Sequence, residues 1–199
     1  PGRCQSAWNK NCIAVGLSAG FIEPLESTSI ALVETAIERI LLSFKEAQYS
    51  QQDVHRFNEV TALEYERVRD FIILHYKANK RSDQPMWKYC QDMNLPSMLK
   101  EKMSIFKEEG RIIRYPWEIF GLDSWLAVFN GLDFLPKAYD KRVDRMQFSY
   151  LKDNLDFMRN TITQSVNLAP SHSEFLQKNC HLNSLETSPS YKLKRVNIL

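Results

Sequence analysis

A mainly α fold is what this 199-residue sequence predicts: an irregular helical module with one short N-terminal strand. Three observations carry that prediction. Apolar residues recur at three- and four-residue steps over several long stretches, the period of one helical face. Proline and glycine stand where those stretches begin and end. One short apolar run, Asn11 to Gly16, lacks that period and suits a buried strand.

The elements follow in order. Leu17 to Ser27 is broken by Gly20 and Pro24 and reads as an irregular connection. From Thr28 to Gln48, Ile30, Val33, Ile37, Ile40, Leu41 and Phe44 make one helical face, with the hydroxyl of Ser27 or Thr28 available as cap. After Gln51, Val54, Phe57, Val60, Leu63, Val68, Phe71, Ile72 and His75 mark a second long helix that fades in the charged stretch Lys77 to Arg81. Asp83 and Pro85 announce another helix start. Leu95-Pro96-Ser97 opens a helix that Gly110 stops. Tyr115 to Phe120 and Asp123 to Phe129 read as short aromatic-rich helical pieces. Val143 to Leu168 is long and periodic and ends at Ala169-Pro170, and Ser171 to Cys180 forms a last short helix. The tail over 183–199 is polar and is expected to pack poorly.

Composition narrows the function classes. With 44% hydrophobic and 25% charged residues, the chain can build a sizeable core. A net charge of +2 with no dominant basic stripe argues against a nucleic-acid partner. No apolar run reaches the ~18 residues of a membrane span. Cys4, Cys12, Cys90 and Cys180 form neither a C-x-x-C pair nor a zinc spacing, so reduced thiols and a cytoplasmic location are expected. His55, His172 and His181 lack a partner at metal spacing, and no metal site is predicted. The chain begins at Pro1 rather than methionine, and the expectation is a piece of a longer protein.

The stretch GFIEPLESTS, Gly20 to Ser29, concentrates the chemistry. Glu26 stands directly before a helix start. The ordinary explanation is a surface carboxylate near the positive end of a helix. The functional one makes the amides of Thr28 and Ser29 an anion site, with Glu26 beside it as a proton handler. Spacing alone does not separate the two. Tyr76, Met86 and Trp87 flank the polar turn KRSDQ and suit either a core or the rim of a pocket.

The run WNKNCIAVGLSAGFIEPLESTSI strongly resembles the flavin-dependent tryptophan halogenases. The resemblance continues through Tyr65 to Ile72, Leu74 to Tyr76, Asp83 to Trp87 and Pro170 to Phe175. It implies that residues 1–27 end a flavin-binding, Rossmann-like part and carry the active-site loop, and that residues 28–182 form the helical substrate-binding module. The dinucleotide fingerprint, the G-W-x-W-x-I-P motif and the catalytic lysine of that family are missing here, so the chain resembles a C-terminal portion that is inactive alone.

Residue by residue, Glu26 matches the family's active-site glutamate, a partner of the lysine or a base for the ring proton. Thr28 and Ser29 match its halide site, and Gly16, Ser18, Gly20 and Ser27 the segment against the flavin. Trp87 matches an aromatic that stacks on the indole. His75 and Tyr76 fall on a Tyr-Tyr pair that holds the substrate's amino-acid end. Met86 replaces a phenylalanine, and Ser82 a glutamate that pairs with the substrate ammonium.

Loss of that charge-assisted bond costs roughly 1.5–3 kcal/mol. The changes imply an indole-like aromatic substrate without the ammonium, or one carried by a larger molecule, beside tryptophan itself. The implied partners are FAD reduced by a flavin reductase, chloride or bromide, the N-terminal flavin domain and, through exposed apolar surface, a second copy in a homodimer. In the implied reaction, reduced flavin, dioxygen and halide yield hypohalous acid, which acts on the ring near Glu26. Two other readings stand: a helical interaction module without halogenase activity, and a monooxygenase that hydroxylates without halide.

Overall fold

The computed structural model describes residues 1–44 and 48–180. The chain divides into two compact units, Pro1–Asp140 and a second from Lys141 onward. The helical module expected over 28–182 spans both.

In the first unit four two-residue strands form two antiparallel ribbons. Strand β1 (Gly2–Arg3) pairs with β4 (Gly20–Phe21), and β2 (Trp8–Asn9) with β3 (Cys12–Ile13). The strand expected over Asn11 to Gly16 is therefore shorter, and its partner is the residue pair just before it. Trp8 anchors this hairpin to the helices. Its backbone N–H donates to Asn58 Oδ1 at 2.7 Å, and Asn58 Nδ2 donates back to the Trp8 carbonyl at 2.9 Å.

Helix α1 is Ser29–Ser43, and α2 is Gln51–Lys77. The expected end of α1 at Gln48 runs into residues 45–47, outside the described ones. Thr28 holds the cap position of α1, but neither hydroxyl makes the expected capping bond. Helix α2 starts on a reciprocal cap: the Asp53 N–H donates to Ser50 Oγ, and the Ser50 N–H donates to Asp53 Oδ2 at 2.8 Å. Helix α3 (Pro85–Asp92) begins at its proline, with Gln84 at the cap and Asp83 one residue before it, bound by Arg81. Helix α4 (Ser97–Glu109) ends at Gly110, whose φ of 68° is the left-handed stop glycine favours. Helix α5 is Leu122–Gly131.

Tyr115 to Phe120 is not helical. Trp117 has a φ of 64°, and the segment runs irregularly past α4 and α2. Glu118 explains the path: its carboxylate is buried and receives the equally buried Lys102 ammonium at 2.5 Å. Lys102 also lies 3.8 Å from the centre of the Trp125 ring. Burial pushes the lysine below its ordinary value, against the pull of Glu118.

Helix α2 is the spine of the unit. Phe71 and Leu74 pack with Leu99, Met103, Phe106, Trp125 and Phe129. Val68, Tyr65 and Ile72 pack with Leu32 of α1, and Phe57 with Trp8 and Ala36. The aromatic pairs are close: Phe71 stacks on Phe120 at 3.9 Å, and Phe106 on Phe129 at 4.1 Å.

In the second unit a short 3-10 segment, Lys141–Arg145, precedes α6 (Phe148–Leu168), so the helix expected from Val143 is interrupted before Phe148. Helix α7 (His172–Asn179) is capped by Ser171, whose Oγ accepts from the Glu174 N–H. The tail expected to pack poorly lies outside the described residues.

Candidate active site

The stretch from Gly20 to Ser29 enters as strand β4, turns through Ile22 to Pro24, and forms a 3-10 turn at Leu25–Ser27 before α1 begins. That turn is strained. Glu26 has φ 67° and ψ 1°, and Ser27 has φ 49°. Two successive non-glycine residues in the left-handed region persist only where their surroundings hold them, and such sites cluster at functional positions.

The strain aims the Glu26 side chain back across the fold. Its Oε1 lies 2.8 Å from His75 Nε2 on the last turn of α2. The other ring nitrogen, Nδ1, lies 2.9 Å from the Phe71 carbonyl one turn earlier. Phe71 meets the imidazole edge-on at 5.0 Å. Beside this pair, the Tyr76 hydroxyl donates to both oxygens of Glu23, at 2.9 and 3.2 Å. That bond to a carboxylate, with some burial, pushes the tyrosine above its ordinary value.

Tyr76 in turn faces Trp87 of α3, ring centres 6.2 Å apart and planes 20° from parallel. Arg81 covers Trp87 at 4.7 Å. Helix α3 is tied over the end of α2 by Lys77, whose ammonium donates to the Gln91 and Met93 carbonyls, and by Gln91 Nε2, which donates to the carbonyls of Asn79 and Arg81. These ties set the distance between the two rings.

The structure thus joins Glu26 to His75, and Tyr76 to Trp87. It does not bring every expected residue into those contacts. Ser82 and Met86 are exposed, on the connection before α3 and on its first turn, and neither bonds to the pair. Thr28 is buried and Ser29 is the first residue of α1, where the opening amides have no acceptor within the helix.

Of the residues expected against a flavin, Ser18 turns its hydroxyl onto the Val15 backbone at 2.8 Å. Gly20 is required by its own chain: a Cβ there would stand 2.8 Å from Arg3 Cα, the Gly2 carbonyl oxygen and the Tyr65 ring. Gly16 has φ 65°, and its neighbour Leu17 is 76% exposed.

Sequence reasoning missed two features. The Glu23–Tyr76 bond joins residues far apart in the chain, and no local spacing announces it. The buried Lys102 did leave a signal, since it shares the apolar face of Leu99, Met103 and Phe106 on α4. A cavity of about 720 Å³ lies between α1, α2 and Trp117–Ile119. Charged Glu38, Arg39, Arg56 and Glu64 line it, and none of Glu26, His75, Tyr76 or Trp87 does. We place the candidate site at the strained turn, where the side chains converge. Among the described residues no three His, Cys, Asp or Glu side chains gather as a metal site, and no helix is long and apolar enough to cross a membrane.

Comparison with known proteins matches residues 1–148 to the tryptophan halogenase family model. BrvH, a flavin-dependent halogenase from Brevundimonas sp. BAL3, is 47% identical and superposes with a TM-score of 0.81 over 89% of this chain and 36% of its own. Xcc4156, a flavin-dependent halogenase from Xanthomonas campestris, is 34% identical with a TM-score of 0.83 over the same shares. The 7-chloro-L-tryptophan 6-halogenase KtzR of Kutzneria sp. (strain 744) is 29% identical over 188 residues, 89% of this chain and 35% of that protein. The chain therefore spans about a third of the length of these relatives.

Proposed function

Because the chain belongs to the tryptophan halogenase family, we propose that it forms the substrate-facing helical part of a flavin-dependent halogenase that acts on an indole-like ring. The observation that carries this reading is the strained turn that presents Glu26 to His75 beside the Tyr76–Trp87 pair. Halogenation of an aromatic carbon ends when the ring loses a proton. A carboxylate held at the ring is a suitable base for that proton.

In this reading Trp87 stacks on the substrate ring. The opening amides of α1, at Thr28 and Ser29, attract halide as helix N-termini attract anions. Ser82 offers no carboxylate for an ammonium, and the nearby Glu23 is engaged by Tyr76. This favours an indole-like substrate lacking a free ammonium, or one carried on a larger molecule.

In this reading the segment before the Glu26 turn faces one edge of a flavin ring. The exposed Leu17, next to Gly16, gives an apolar surface on the segment that leads to the Glu26 turn. The segment does not include a phosphate cradle, which in this reading belongs to the flavin-binding part. Bound reduced flavin, renewed by a flavin reductase, would supply with dioxygen the oxidising power that turns halide into an electrophile. Glu26, Trp87 and the α1 amides would then place ring, halogen and proton acceptor together.

The test is Glu26→Gln in the full-length enzyme. Halogenation is expected to fall about a hundredfold or more, while flavin binding stays at the wild-type level. Near-normal turnover would overturn the role of Glu26. A hydroxylated product formed without halide would instead assign the chain to a monooxygenase.

A further inference from the structure

We propose that His75 is the positioning residue of Glu26: a doubly protonated imidazole that clamps one carboxylate oxygen and leaves the other for the substrate. The proposal rests on the role given to Glu26 above and concerns how that carboxylate is held.

The protons must be counted. The Phe71 carbonyl can only accept, so Nδ1, 2.9 Å away, carries hydrogen. An ionised Glu26 can likewise only accept, and its Oε1 lies 2.8 Å from Nε2. A neutral imidazole has a single N–H, so one of the two contacts would then set lone pair against lone pair. Both contacts are satisfied when the pair holds one further proton between Nε2 and Oε1, with imidazolium donating on both sides.

The surroundings hold the ring in that role. The His75 side chain is 19% exposed, and Phe71 closes one side of it. The other carboxylate of the site, Glu23, accepts from Tyr76 rather than from His75. Both imidazole nitrogens are therefore used inside the protein, which leaves neither for the amino-acid end of a substrate.

The strained turn explains why such a clamp is needed. Glu26 and Ser27 both sit in the left-handed region, and such backbone persists only where other contacts over-determine it. The His75 bond is one such contact. With Oε1 committed, Oε2 receives the ring proton. The ring C–H bond breaks, its electron pair returns to the ring, and an O–H bond forms on Oε2. His75 keeps both N–H bonds throughout. It positions and makes no covalent change.

Two arms test this in the full-length enzyme. With 15N-labelled histidine at pH 7, long-range 1H–15N correlations should show both His75 nitrogens protonated in the wild type, and Glu26→Gln should abolish that signature. His75→Phe should lower kcat about ten- to a hundredfold with KM and flavin affinity unchanged. His75→Gln, whose amide can still donate to Oε1, should recover most of that loss. An unprotonated Nε2 in the wild type, or wild-type kcat in His75→Phe, overturns the proposal. So does a rise in KM at constant kcat, which would make His75 a substrate contact. If Glu26→Gln turns over normally, the reading of Glu26 fails while the spectra still decide the pair.

Discussion

Three tyrosines of the eight in the chain hold their protons beyond the ordinary tyrosine value of 10.0. Burial raises Tyr65, and the carboxylate of Glu23 raises Tyr76. Burial and the bond to Glu101 raise Tyr115. A raised folded value means that the unfolded chain loses its proton first. Their stabilisation is complete below pH 10.0 and is lost as pH rises through the folded values. Lys102 acts in the opposite sense, since burial lowers it and favours the fold as pH rises toward 10.5. Tyrosinate absorbance near 295 nm should show a late-titrating fraction in the native protein that joins the main transition on denaturation; a single native transition near pH 10 would refute it. At this scale the sequence was legible in part. Glu26 stood out through the resemblance of its neighbours. Its bond to His75 did not, because the bond depends on a positive φ and on a helix turn far along the chain.

Among the elements, α4 makes a sharp prediction. Gly110 closes it with φ 68°, and a Cβ there would meet the Ala138 carbonyl oxygen at 2.5 Å. Gly110→Ala combines a left-handed alanine with a backbone clash, so it should destabilise the first unit by at least about 1–2 kcal/mol. Equilibrium denaturation measures this, and an unchanged midpoint would show that the turn can relax. Helices α2, α4 and α6 were legible because their apolar residues keep helical period over many turns, and Gly110 was legible as a stop. The segment from Tyr115 to Phe120 was not. Its aromatic content suggests a short helix, yet the buried Lys102–Glu118 pair and the positive φ of Trp117 impose an irregular path. Tertiary electrostatics overrode local preference there. The same holds at Thr28, where the strained turn leaves the expected hydroxyl cap unused.

At the scale of the whole molecule, α6 carries the strongest statement. Phe148, Leu155, Met158, Ile162 and Val166 recur at three-, four- and seven-residue steps along one seam, and each is more than half exposed. The periodic run was legible in the sequence. The division at Asp140 was not, since the charged residues before α6 resemble any solvated turn. Exposed apolar seams of this kind mark surfaces that associate. The 199-residue chain is therefore expected to self-associate at micromolar concentration in sedimentation velocity. Leu155→Glu with Ile162→Glu should return it to monomer, because two buried carboxylates in an apolar contact cost far more than the contact contributes. A wild-type chain that sediments as monomer would refute the association. The full-length protein supplies the complementary measurement. If the proposed flavin-binding part covers the seam there, the wild-type full-length protein should show no association through α6, and the double substitution should lower its thermal midpoint instead. A full-length protein that keeps its midpoint after both changes would show that the seam is not covered within one copy.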